Sequence, residues 1–246
     1  MKRLRVAIGC LTILPFGPRG AVEDAEMGGS ILWFPLVGLF LGCGLIGVRE
    51  IAARAFPPLA VSVFVLLAWI VITGALHLDG VGDMADGLYG GRTPEQRLRI
   101  MKDPHVGAVA VVALIGLLLA KFALVGSLSA QLTSPALLFA PCIGRYAMAL
   151  LSSTLPYARM EGGTGAPFVK HSSKRALAGA TVIALMGALA VFGPTGFPIF
   201  GIALLVSLGL RQLFLETLGG ITGDALGATC EIVETVLLAV VIAVVR

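Results

Sequence analysis

Apolar stretches of about 17–20 residues, the shortest that cross the hydrocarbon core of a bilayer as a helix, recur along this sequence. They fall at 31–48, 57–76, 107–126, 134–152, 176–193, 198–215 and 227–245. Apolar residues fill 57% of positions and charged ones only 13%, about half the charge of a soluble domain. Within lipid the backbone must pair its own polar groups, so the reading is all-α: a polytopic membrane helix bundle of about seven spans. It forms a single transmembrane domain over 1–246. The fifth and sixth stretches, split only by Gly193-Pro194-Thr195-Gly196-Phe197, read alternatively as a re-entrant pair.

The opening MKRLRVAIGCLTILPF resembles a signal peptide, but its apolar part is short and no small-x-small cleavage site follows. It reads as a retained basic interfacial helix within an N-terminal segment, 1–30, and Pro15 and Gly17 end it. With the N-terminus inside, twelve Lys and Arg fall in cytoplasmic segments, including Arg19, and Arg49, Arg54 and Arg246 fall outside. That asymmetry places the N-terminus in the cytoplasm and the C-terminus outside. The net charge of +4 then reflects orientation and anionic headgroups; no basic patch interleaved with aromatics marks a nucleic-acid partner. Cys10, Cys43, Cys142 and Cys230 show no metal spacing and read as small buried hydrophobes.

Both long polar loops, 77–106 and 153–175, lie on the cytoplasmic side in this topology. The first begins HLDGVGDMADGLYGG. On a helix continuing from the second span, Asp79, Asp83 and Asp86 fall within about 60° of one another. Three aligned carboxylates repel unless a divalent cation lies between them, and oxygen-only ligands suit Mg²⁺ or Mn²⁺. Gly80 flanks these acids. Gly87, Gly90 and Gly91 break the helix and offer backbone that a diphosphate approaches closely. Thr93-Pro94-Glu95-Gln96 is a capping box that starts a short helix ending near Pro104. It brings Lys102 and Asp103 back to the membrane surface.

A weaker second segment, LGGITGDALGATCEIVE, sets Asp224 and Glu231 on one helical face. Within the spans, Arg145 lies about 10 Å from the cytoplasmic end of its helix, and Arg211 and Glu231 about 6 Å. Arg145 reads as functional. Arg211 reads equally as functional or as snorkelling to the surface, and Lys121 as snorkelling toward the outer face. The Gly-rich basic loop 153–175 reads either as a lid over an anionic substrate or as a positive-inside signal. His77, His105 and His171 are too dispersed for zinc.

HLDGVGDMADGLYGG, RIMKDPHVGA, the Gly144-Arg145 pair, GGITGDALGATCE and the opening LTILPFG with FPLVGLFLG resemble the cobalamin synthase (adenosylcobinamide-GDP ribazoletransferase) family along essentially the whole chain. The resemblance implies a Mg²⁺-dependent enzyme of the prokaryotic cytoplasmic (inner) membrane with its site facing the cytoplasm. α-Ribazole, or its 5′-phosphate, would displace GMP from adenosylcobinamide-GDP. On that reading Asp79, Asp83, Asp86 and Asp103 are the catalytic metal ligands, Asp103 also the first candidate for general base. Gly80, Gly90, Gly91, Lys102, Arg145, Asp224 and Glu231 contact substrate. The partners are these two substrates and the lipid bilayer, and a homo-oligomer is compatible.

Three rivals stand beside this reading. A CDP-alcohol phosphotransferase has a related motif, but the Ala-Arg pair following its Asp-Gly is absent here. An intramembrane prenyltransferase usually carries two strong aspartate blocks, and here the second is weak. A transporter should show paired broken helices near the midplane, whereas these acids gather at one surface.

Overall fold

The computed structural model describes residues 1–18 and 20–245; Arg19 and Arg246, both counted above for orientation, lie outside them. Among the described residues all regular elements are helical apart from one isolated bridge between Tyr157 and Ile221. The first four helices are α1 (Lys2–Leu11), α2 (Asp24–Ser30), α3 (Phe34–Ala52) and α4 (Pro58–Thr73). Next come α5 (Leu76–Gly90), α6 (Pro94–Ile100), α7 (Ala108–Ser127) and α8 (Ala130–Thr154). The chain ends with α9 (Ala166–Lys170), α10 (Lys174–Phe192), α11 (Gly196–Leu218) and α12 (Gly223–Val244).

Five stretches are long and apolar enough to cross a membrane: Asp24–Ala52, Ala108–Ser127, Ala130–Thr154, Lys174–Leu218 and Gly223–Val244. The bent pair α4–α5 makes a sixth if it is one span. Lys174–Leu218 is a hairpin rather than a single rod. Thr181 and Phe192 of α10 meet Tyr146 and Phe139 of α8, so α10 runs against α8. Phe200 of α11 returns to Tyr146, and Arg211 donates to the Thr154 carbonyl at the end of α8, 3.1 Å away. Arg211 therefore satisfies one of the orphan carbonyls of a helix C-terminus.

Helix α8 is the hub. It is buried along most of its length and packs against α3, α10, α11 and α12. Gly38 and Gly42 of α3 lie directly on the α8 backbone at Pro141 and Leu138, the close helix approach that small residues permit in a membrane. Helix α1 is amphipathic, burying Val6, Ala7 and Leu11 while Lys2 pairs with Glu26 at 2.7 Å. Cys142 and Cys230 are buried as expected and Cys10 partly so, but Cys43 is exposed on the outer face of α3.

The spans hold four charges that the sequence reading had distributed differently. Lys121 of α7 does not snorkel. Its ammonium lies 2.6 Å from each of Glu231 and Glu234 of α12 and 4.4 Å from the centre of the Trp69 ring on α4. Arg145 of α8, expected to contact substrate, is fully buried, bound to Glu234, and donates to the Pro141 carbonyl. Glu231, expected at the substrate, is spent on Lys121. Two cations and two carboxylates thus neutralise one another out of reach of water, tying α7, α8 and α12 together. Apolar surroundings leave these groups no cheaper partner.

A second correction concerns the aspartate segment. It is not a loop on the membrane surface, nor a straight continuation of the second span. Helices α4 and α5 meet at 88°, turning through Gly74 (φ 62°) and Ala75 (φ 57°), a conformation unfavourable to a residue with a Cβ. The Ile13 N–H donates to the Ile72 carbonyl beside this bend, at 2.9 Å. Helix α5 then runs antiparallel along α7, with Gly82 against Ala110 and Leu114, and Asp86 against Gly107. The aspartates therefore belong to the bundle.

Replacing Arg145 by Met should unbalance the buried charges and cost about 3–5 kcal/mol, the usual penalty for breaking a buried pair. The thermal unfolding midpoint in detergent should fall accordingly. Adding Glu234→Gln restores neutrality and should recover much of the loss. A single variant as stable as wild type would refute this account of the network.

Candidate active site

Two helices distant in sequence make the site. A side chain at Gly80 would overlap the backbone of Asp224, so glycine there lets α5 lie directly on the first turn of α12. Thr222 caps that turn, its hydroxyl accepting from the Ala225 N–H at 3.1 Å. Asp224 is thereby brought beside Asp79 and Asp83. Asp83 has the charges of Asp224, Asp79, Arg159 and Asp86 for neighbours.

Arg159 is the one cation of this group, and the sequence reading missed its role. The segment 156–158 pairs with Ile221: Ala158 N–H donates to the Ile221 carbonyl and Ile221 N–H to the Pro156 carbonyl, both at 2.9 Å. This pairing sets the Arg159 guanidinium 2.7 Å from the Asp224 carboxylate. Nothing local in the loop signals a partner 65 residues away. The pairing also pins this part of loop 153–175, which the sequence left open as a lid.

Asp79 and Asp224 line a cavity of about 470 Å³, together with His77 and Thr164. The rest of the lining is largely apolar, including Leu11, Phe34, Met148, Phe168 and Leu226. Arg159 lines a second, more open cavity of about 690 Å³ with Arg99, Lys102, Glu95 and Glu161. The Arg159–Asp224 pair therefore stands between an apolar chamber and one that carries several charged side chains.

Other expected site residues are placed elsewhere. Asp86 caps α7, accepting from Gly107 N–H at 2.7 Å and Ala110 N–H at 2.9 Å. Both of its oxygens are engaged in starting that helix, and it contributes charge to the site rather than a free ligand. Asp103 is exposed. The backbone and ring of His105 hold its carboxyl below the usual range, which suits it poorly to accept a proton. Lys102 pairs with Glu161. Gly91 packs on Arg97, and Gly90 is exposed near Ile100; the helix they were expected to break runs through Gly87 to Gly90. Thr93 does cap α6, though Gln96 closes the turn on Arg92 N–H rather than on the cap residue, and α6 ends at Ile100.

Among the described residues no three His, Cys, Asp or Glu side chains are arranged to hold an ion unaided. The donor set at Asp79, Asp83 and Asp224 is nonetheless oxygen-only and net negative. That matches a hard cation such as Mg²⁺, which binds through one or two carboxylates and completes its shell with water and substrate phosphate.

Helices long and apolar enough to cross a bilayer, packed around buried charge, define a multi-pass membrane protein. The sequence model of the cobalamin-5-phosphate synthase family matches residues 3–242, and the chain belongs to that enzyme family. The adenosylcobinamide-GDP ribazoletransferase of Desulforamulus reducens is 40% identical over 232 residues, 94% of this chain and 92% of that protein. The Pseudomonas aeruginosa PAO1 protein of the same name is 39% identical over 242 residues, 97% and 96% of the two chains. No solved structure matches.

Asp83→Asn should nearly abolish turnover while leaving the protein folded in the membrane, because it removes a charge from the centre of the carboxylate group. Retention of more than about a tenth of the wild-type rate, a loss under about 1.4 kcal/mol, would remove Asp83 from the machinery.

Proposed function

We propose that this chain transfers the adenosylcobinamide phosphate moiety of adenosylcobinamide-GDP to α-ribazole or its 5′-phosphate, releasing GMP. The observation that carries the reading is the carboxylate group of Asp79, Asp83 and Asp224 with Arg159, at an apolar chamber, in a chain matching ribazoletransferases over nearly its whole length. The chemistry of the two cavities suits a substrate with a bulky organic part and a diphosphate. The large body would enter the apolar chamber, and the nucleotide end would lie toward Arg99, Lys102 and Arg159.

Asp79 and Asp224, which share the chamber wall, are the residues that would hold Mg²⁺, or Mn²⁺ in its place, its shell completed by water and substrate phosphate. When bound, such an ion neutralises the diphosphate and stabilises the leaving phosphate. Catalysis of this kind rests on positioning and charge more than on covalent steps. Arg159 holds Asp224 and contributes positive charge near the departing GMP. A secondary ribose hydroxyl of the ribazole, free in both α-ribazole and its 5′-phosphate, attacks the phosphorus attached to cobinamide, and GMP leaves with the electrons of the broken phosphorus–oxygen bond. Asp83, without a hydrogen-bond partner among the described residues, accepts the hydroxyl proton.

The topology proposed with this function has seven passes and a cytoplasmic N-terminus in a prokaryotic inner membrane, with the site open to the cytoplasm. Single cysteines replacing the exposed Glu95 and Met160 in a cysteine-free background should label only from the cytoplasmic side, and one replacing Arg54 only from outside. The reverse pattern would overturn the orientation.

The bond that breaks is tested by products. With adenosylcobinamide-GDP, α-ribazole and Mg²⁺, chromatography should show stoichiometric GMP and intact cobalamin. Attack on the guanosine-linked phosphorus would give cobinamide phosphate and a guanosine–ribazole adduct, whereas prenyl-type carbon–oxygen cleavage would release GDP. Either alternative as the main product would refute the assignment.

A further inference from the structure

The imidazole of His77 is an unexplained buried polar group. It is 2% exposed, lies on the first turn of α5, and lines the apolar chamber alongside Asp79 and Asp224. Its Nδ1 faces Arg145 Nη2 at 3.4 Å. A guanidinium has donors and no acceptor, so Nδ1 must be the accepting nitrogen and the ring proton belongs on Nε2. That Nε2 is buried without a partner among the described residues. An unpaired buried N–H is costly, and the residue that carries it lines the chamber.

We propose that His77 donates a hydrogen bond from Nε2 to an oxygen of the substrate bound in this chamber, and that Arg145 fixes the tautomer that makes it a donor. On the proposed function, the acceptor is a phosphoryl oxygen of the donor substrate, since Asp79 and Asp224 share the same wall. The bond is then charge-assisted. The same geometry rules out two other uses of this ring. A protonated Nε2 has no lone pair for a metal ion or for taking a proton, and Nδ1 is committed to Arg145. Arg145 is held in turn by Glu234 and the Pro141 carbonyl, so His77 is where the buried charge network meets the chamber.

The test uses full-length protein in nanodiscs with ¹⁵N-labelled histidine, His77 being assigned by its absence in His77→Gln. Without substrate, Nδ1 should resonate as unprotonated and Nε2 as protonated; adenosylcobinamide-GDP with Mg²⁺ should then shift Nε2. Two variants separate the ring's two bonds. In His77→Gln the amide nitrogen takes the place of Nε2, and kcat/KM should fall less than in the asparagine variant, a partial rescue by a donor alone. In His77→Asn the amide oxygen still reaches Arg145 but no donor reaches the chamber, and kcat/KM should fall about ten- to a hundredfold, the range for a lost bond to a charged group.

An Nε2 resonance that stays put in an enzyme that turns over, or a His77→Asn variant as active as wild type, would overturn the proposal. A wild type that binds this substrate without forming GMP would fail the proposed reaction alone, and the resonance would still decide the role of His77. A wild type showing neither turnover nor any shift would defeat both.

Discussion

Charges buried between apolar helices have no water to fall back on, so Lys121, Arg145, Glu231 and Glu234 must be satisfied by one another. That requirement chooses which helices touch. Helix α12 supplies both carboxylates, so it is drawn against α7 through Lys121 and against α8 through Arg145. With α12 held there, its first turn lies on α5 at Gly80. The placement of Asp224 beside Asp79 and Asp83 follows from ion pairs formed two to three turns further along α12.

The site built this way has two unlike sides. On one, Asp79, Asp224 and His77 share a wall with leucine, methionine and phenylalanine side chains. On the other, Arg159 opens onto Arg99 and Lys102. A single contact, Arg159 with Asp224, divides them. A ligand spanning the two would have its reacting group held where positive and negative side chains meet, and each of its ends in surroundings of matching polarity.

Much of this was legible in the sequence. Each predicted span matches a helix to within a few residues, because hydropathy decides where a chain crosses lipid. The i, i+4, i+7 spacing of the aspartates survives because α5 is helical from Leu76 to Gly90. What escaped was pairing at long range. Arg145 reads as a substrate contact in the sequence because its partner, Glu234, lies 89 residues on, and spacing within one helix carries no information about a facing one. Asp86 looked equivalent to Asp79 and Asp83 until α7 began beneath it. Glycines read as an open phosphate cradle proved to be places of close packing, since the absence of a side chain marks a near approach without saying what approaches.

The order of the network along the chain has a consequence for how the protein is made. Lys121 and Arg145 are on helices synthesised well before α12, which carries both of their counter-charges. A nascent chain that has inserted α7 and α8 holds two cations in lipid or against the translocation machinery with nothing to neutralise them. Arrival of α12 quenches both charges and delivers Asp224 to the other two aspartates in the same event. Neutralising the buried cations and gathering the three carboxylates are therefore one step, and a chain that lacks α12 has neither.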